Sequence, residues 1–147
     1  MNHVAIDLGG RESQICVRTP EGQIVEERRS STLGLRKYLI GLEPARVVLE
    51  TCAEAFTVAD WARAAGHQVA VVPAALVRAL GVGARGLKSD VRDARNLADA
   101  SCRMQALPQV HIPSRASREL KSLCSLRDGD RAAVSTALGR LPRGTKS

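Results

Sequence analysis

Three strand-like runs crowd into the first thirty residues: His3–Asp7, Glu12–Thr19 and Gln23–Arg28. Only Gly9-Gly10 and Pro20-Glu21-Gly22, with their immediate neighbours, separate them. Gaps that short reverse a chain but cannot carry it across a sheet, so the three runs are expected to form an antiparallel meander. The pattern then changes. Leu35, Tyr38, Leu39 and Leu42 recur at helical spacing, behind Ser30, Ser31 or Thr32 as a cap and ahead of Gly41 and Pro44 as a stop. Val47–Glu50 reads as the fourth strand, Phe56–Ala65 as a helix stopped by Gly66, and Gln68–Val72 as a fifth strand closed by Pro73. A short helix at Ala75–Leu80, a Gly- and Arg-containing loop at Gly81–Lys88 and a helix from Asp90 to about Met104 complete the series.

This order fixes a topology. The meander lays strands three, two and one side by side, and a right-handed crossover returns strand four parallel to strand one, with strand five beyond it. The expected fold is α/β: a mixed five-stranded sheet of order 3-2-1-4-5 with flanking helices, which is the ribonuclease H-like architecture. The sequence divides as a domain over 1–106, a linker over 107–113 containing two prolines, and a helical extension over 114–147.

Strands one and four end on Asp7 and Glu50, so that topology makes neighbours of two acids far apart in sequence. A carboxylate closing a buried strand is costly unless a cation compensates it, and Arg46 is the nearest candidate for Glu50. Asp90 and Asp93, in Lys88-Ser89-Asp90-Val91-Arg92-Asp93-Ala94, share a helix face. Each acid has an ordinary explanation: Asp90 and Asp93 as helix capping, Asp7 as the start of a turn before Gly9. Together they form the oxygen-rich set that hard divalent cations take, as in two-metal phosphoryl transfer. Repulsion among the four would raise some of their pKa values, so metal uptake is expected to improve toward neutral or mildly alkaline pH. Asp7-Leu8-Gly9-Gly10 also resembles the first phosphate motif of the actin-like sugar kinases, although those need a second lobe and make no use of Lys88–Ala94.

Lys and Arg outnumber Asp and Glu by 22 to 15, a net charge of +7 spread along the chain, which favours a polyanionic partner. Tyr38, Phe56 and Trp61 are the only aromatic residues, so contact with phosphates is expected rather than base stacking. Arg78, Arg85, Lys88 and Arg92 flank the acidic segment and are the candidates for it. Cys16, Cys52, Cys102 and Cys124 form no CxxC pair and read as reduced thiols; His3, His67 and His111 show no ligand spacing. The N-terminus has no signal-peptide pattern, and a cytoplasmic location is expected.

The segment Lys88–Ala94, taken with Ala5-Ile6-Asp7 and Val48-Leu49-Glu50-Thr51-Cys52, resembles the N-terminal domain of the IS110/IS1111 insertion-sequence transposases. Gly66-His67-Gln68-Val69, Val72-Pro73, Val77-Arg78, His111-Ile112-Pro113-Ser114 and Leu120–Arg127 extend the likeness along the chain. The resemblance implies a RuvC-like DEDD domain with Asp7, Glu50, Asp90 and Asp93 as catalytic metal ligands for Mg²⁺, or Mn²⁺ in its place. It further implies DNA transposition or recombination, a structured guide RNA, and homo-oligomeric assembly. Family members also carry a C-terminal domain with a nucleophilic serine. Neither Ser135 nor Ser147 sits in a matching context, so the expectation is a truncated transposase, incomplete alone, in which Ala53 replaces the family's usual Gly. A non-catalytic nucleic-acid-binding remnant is the alternative, and a sugar-kinase fragment a more distant one.

Overall fold

The computed structural model describes residues 1–79, 90–114 and 118, with residues 90–92 described by their backbone alone. The strands are β1 (His3–Asp7), β2 (Glu12–Arg18), β3 (Ile24–Ser31), β4 (Arg46–Glu50) and β5 (Gln68–Val72). The helices are α1 (Leu35–Gly41), α2 (Ala55–Ala64), α3 (Ala74–Ala79) and α4 (Asp90–Arg103). They build one mixed sheet of order β3-β2-β1-β4-β5. β1 and β2 pair antiparallel, as do β2 and β3, while β4 runs parallel to β1 and to β5.

Both faces of this sheet are covered, which is why Val4-Ala5-Ile6 and Val47-Val48-Leu49 are continuous apolar runs, all fully buried. Ala5, Cys16, Val48, Ala70 and Val72 point to one face and pack with Val77 of α3, Ala94, Leu97 and Ala98 of α4, and Leu107. Residues of opposite parity, among them Val4, Ile6, Ile15, Val47 and Leu49, form the other face. Leu35 and Leu39 of α1 and Ala55, Val58, Ala59 and Ala62 of α2 are buried outside the α4 cluster and cover that side.

Two local expectations are revised. β3 runs on to Ser31, so the serines expected to cap α1 end a strand instead. Gly34 occupies the N-cap with no side-chain capping bond of its own, and its N–H donates to Ser31 Oγ at 3.0 Å. Thr32 is buried and serves the β1–β2 turn described below. The second revision concerns the histidines, two of which are structural. His67 Nδ1 accepts from Ala45 N–H at 3.1 Å, which leaves Nε2 to donate to Leu39 O at 2.7 Å, tying α1, β4 and β5 together. His3 is bonded to Ser101 of α4.

Residues Met1–His111 form one compact unit, and Ile112–Ser147 a second. Within the first, Leu107 is buried in the α4 cluster and Val110 N–H donates to Val71 O of β5 at 2.8 Å, so residues 107–110 stay against the sheet. Within the second, Arg118 N–H donates to Ser114 O at 3.0 Å. The loop at Gly81–Lys88, Cys124, Ser135 and nearly all of the 114–147 extension lie outside the described residues. Cys16, Cys52 and Cys102 are free thiols, each pushed upward in pKa chiefly by burial. Among the described residues no helix is long and apolar enough to cross a membrane.

Candidate metal centre

Parallel pairing of β1 with β4 aligns Ile6 with Leu49, and each strand has one residue left before it ends. Those residues are Asp7 and Glu50. They share parity with Ala5 and Val48, so both face the side that α4 covers. Register alone therefore makes two acids, distant in sequence, neighbours at one sheet edge.

The direction of α4 brings the third acid. His3 Nδ1 lies 2.6 Å from Ser101 Oγ, which anchors the C-terminal end of α4 at the start of β1. From Ser101 back to Asp93 is about 12 Å along a helix. From His3 forward to Asp7 is about 13 Å along a strand. α4 thus runs antiparallel to β1, and Asp93 stands level with Asp7. Asp93 is only 7 % exposed, next to the buried Ala94 and one turn before Leu97. Asp90 opens the same helix three residues earlier, with its carboxylate outside the described atoms. The positive end of the helix dipole lies at this end of α4.

Four ties fix α4 on the sheet. Arg46 donates to Ser101 O at 3.4 Å and to Met104 O at 3.3 Å, satisfying carbonyls that a helix C-terminus leaves open. This is what Arg46 does; it sits at the far end of β4 from Glu50, and the expectation that it compensates that acid is corrected. Arg18 donates to Arg95 O at 3.3 Å. Arg95 in turn forms a two-pronged ion pair with Glu27 of β3, through Nε to one oxygen and through a terminal nitrogen to the other at 2.8 Å. The pair holds the Glu27 carboxyl below its usual range, with the hydrogen bond from Arg95 as the leading cause. The His3–Ser101 bond is the fourth tie.

The turn after Asp7 is locked as well. Gly9 N–H donates to Ser13 Oγ (3.3 Å), Ser13 is bonded to Thr32 Oγ1 (2.8 Å), and Thr32 Oγ1 donates to Gly9 O (2.6 Å). Because Thr32 gives its proton to Gly9, Ser13 must give its own to Thr32, so the three groups close a ring. A Cβ on Gly9 would collide with the carbonyl oxygen of Glu12, which is why this position is glycine. Sequence reasoning missed this ring, since Ser and Thr are common in turns and only the β2–β3 register sets Thr32 beside Ser13.

Among the described residues no three of His, Cys, Asp and Glu stand close enough together to hold a metal ion. Asp7, Glu50 and Asp93 share an edge and a face. Their donor chemistry suits a hard divalent cation. Of the basic residues proposed to flank them, Arg78 is exposed at the end of α3, whereas Arg85, Lys88 and the side chain of Arg92 lie outside the described residues.

Comparison with known proteins bears on this arrangement. The curated transposase for insertion sequence element IS1328 of Yersinia enterocolitica is 26% identical over 123 residues, which is 84% of this chain and 35% of that protein. The chain therefore spans about a third of the length of that relative. T. thermophilus RuvC, solved in complex with a Holliday junction substrate, superposes with a TM-score of 0.51 at 15% identity, covering 75% of this chain and 99% of that one. That likeness shows the fold: the five-stranded sheet with its flanking helices is RuvC-like. A family model of IS110-type DEDD transposases, described as a transposase, matches residues 4–141, which sets aside the sugar-kinase reading of Asp7–Gly10. The chain belongs to the IS110 DEDD transposase family.

Proposed function

We propose that this chain is the cation-binding, RuvC-like part of a transposase that acts on DNA phosphodiesters during transposition or recombination. One observation carries the reading: Asp7 and Glu50 end adjacent parallel strands one step past the Ile6–Leu49 pair, on the face where α4 supplies Asp93 at the same level. Asp7, between β2 and β4, is the central ligand. Glu50, Asp90 and Asp93 would be the other ligands and Mg²⁺ the ion, with Mn²⁺ able to replace it. A divalent ion held there supplies positive charge against the charge that builds on a phosphodiester during displacement.

The rest falls to the chain's own groups. The ring through Gly9, Ser13 and Thr32 holds the backbone that follows Asp7. The ties from Arg18, Arg46 and Glu27 hold α4 so that Asp93 stays at the edge. Arg78, Arg85, Lys88 and Arg92 contact the sugar–phosphate backbone, a contribution that weakens with added salt. A structured guide RNA and further copies of the chain are the partners expected from the resemblance.

The test is a thermal shift of the full chain with Mg²⁺. A specific site stabilises by about 2.7 kcal/mol at a hundredfold excess over Kd. The shift is expected in the wild type and absent in Asp7→Asn and Glu50→Gln. An equal shift in all three would refute the site. Salt-dependent DNA or RNA binding together with no shift in any of them would instead favour the non-catalytic binding role.

A further inference from the structure

Gln14 is the odd residue of the sheet interior. It lies in β2 directly opposite Asp7 in the antiparallel register, so the two share the face beneath α4. Opposed residues of such a pair have Cβ atoms about 4.5–5.5 Å apart, well within the reach of a glutamine amide. Gln14 is 7 % exposed, and among the described residues nothing hydrogen-bonds its side-chain amide. On this face Gln14 lies between Asp7 and Arg29 across the strands and between Glu12 and Cys16 along β2. Neither amide atom is among the fully buried polar atoms that lack a partner, so the amide reaches solvent and can take a new partner without giving up an internal bond.

Resting on the carboxylate site proposed above, we infer that Gln14 is a positioning residue for Asp7. Its amide N–H donates to one carboxylate oxygen of Asp7 when a divalent ion occupies the edge, leaving the other oxygen to the ion. Outer partners of this kind fix the orientation of a ligating side chain, and losing one typically weakens metal binding about 10- to 100-fold. The amide suits the task because it donates without adding charge. A lysine there would compete with the cation, and a carboxylate would repel Asp7.

The experiment is Mn²⁺ titration of the full chain, followed by electron paramagnetic resonance, on wild type, Asp7→Asn, Gln14→Met and Gln14→Glu, with metal-free melting of each. Gln14→Met, close to isosteric and without donors, is expected to raise the Mn²⁺ Kd about 10- to 100-fold. Its metal-free melting temperature should hold, an outcome that a merely structural glutamine would not give. Gln14→Glu is expected to bind more weakly than wild type; tighter binding would make position 14 a direct ligand and overturn the positioning role. Unchanged Mn²⁺ affinity in Gln14→Met, with Asp7→Asn still defective, overturns the Gln14 assignment alone. A wild type that takes up no Mn²⁺ overturns both it and the carboxylate site.

Discussion

At the edge where β1 and β4 begin, His3, Arg18 and Arg46 reach across to α4 and bond Ser101, the carbonyl of Arg95 and the carbonyls near the helix C-terminus. At the edge where the same two strands end, Asp7 and Glu50 meet the acidic start of α4 at Asp93. One helix and two strands thus carry polar groups at both ends, used in opposite ways. The first edge pairs donors with acceptors inside the chain and holds the helix. The second gathers acidic side chains, the groups proposed above to hold a cation.

The largest test of this contrast is Asp7→Asn. It should abolish the Mg²⁺-induced stabilisation of about 2.7 kcal/mol at hundredfold saturation. Metal-free stability should change by less than that amount. A large loss of metal-free stability would mean that the acidic edge is structural too. Arg46→Met should do the reverse, costing about 1.5–3 kcal/mol in urea denaturation, as expected for hydrogen bonds from a charged donor. Its metal response should weaken only as far as α4 is displaced.

Thr32→Val breaks the ring on Gly9 and leaves Ser13 and the Gly9 carbonyl short of a partner, at about 1–3 kcal/mol by the same denaturation measurement. A change in metal affinity beyond that loss would show that the ring also orients Asp7. The smallest effect belongs to His3, whose pKa is lowered by burial first and then by Arg46 and the N-terminal amine. A histidine with a depressed folded pKa gives its full contribution above the ordinary value of about 6.5 and loses it as pH falls toward the folded value. His3→Gln should flatten that part of the stability profile below neutral pH, read from melting temperature against pH.

Much of this architecture could be read in advance, for identifiable reasons. Short turns at Gly9-Gly10 and Pro20–Gly22 force hairpins, and the handedness of the crossover forces β4 beside β1; these constraints act over a few residues or follow from chirality. Gln68–Val72 was bounded correctly because Gly66, at φ +92°, and Pro73 punctuate it on either side. The start of α1 is not legible in the sequence, because Ser30, Ser31 and Thr32 suit a cap as well as a strand end, and only pairing with Ser13 and Glu12 decides for the strand. The partner of Arg46 is hidden for a similar reason. Sequence distance set it near Glu50, whereas a strand carries the two ends of β4 about 13 Å apart.

The sequence by itself determined the strand order, the two buried faces and the placing of Asp7 and Glu50 at one edge, because periodicity, turn length and chirality are local or universal rules. It also singled out Asp90 and Asp93 as a pair on one helix. Tertiary structure alone decided that α4 runs antiparallel to β1 and so brings Asp93 level with Asp7, that Arg18, Arg46 and Glu27 hold it there, and that Gln14 stands buried beside Asp7. Those relations depend on cross-strand register and on how a helix docks, and neither leaves a pattern in the spacing of residues along the chain.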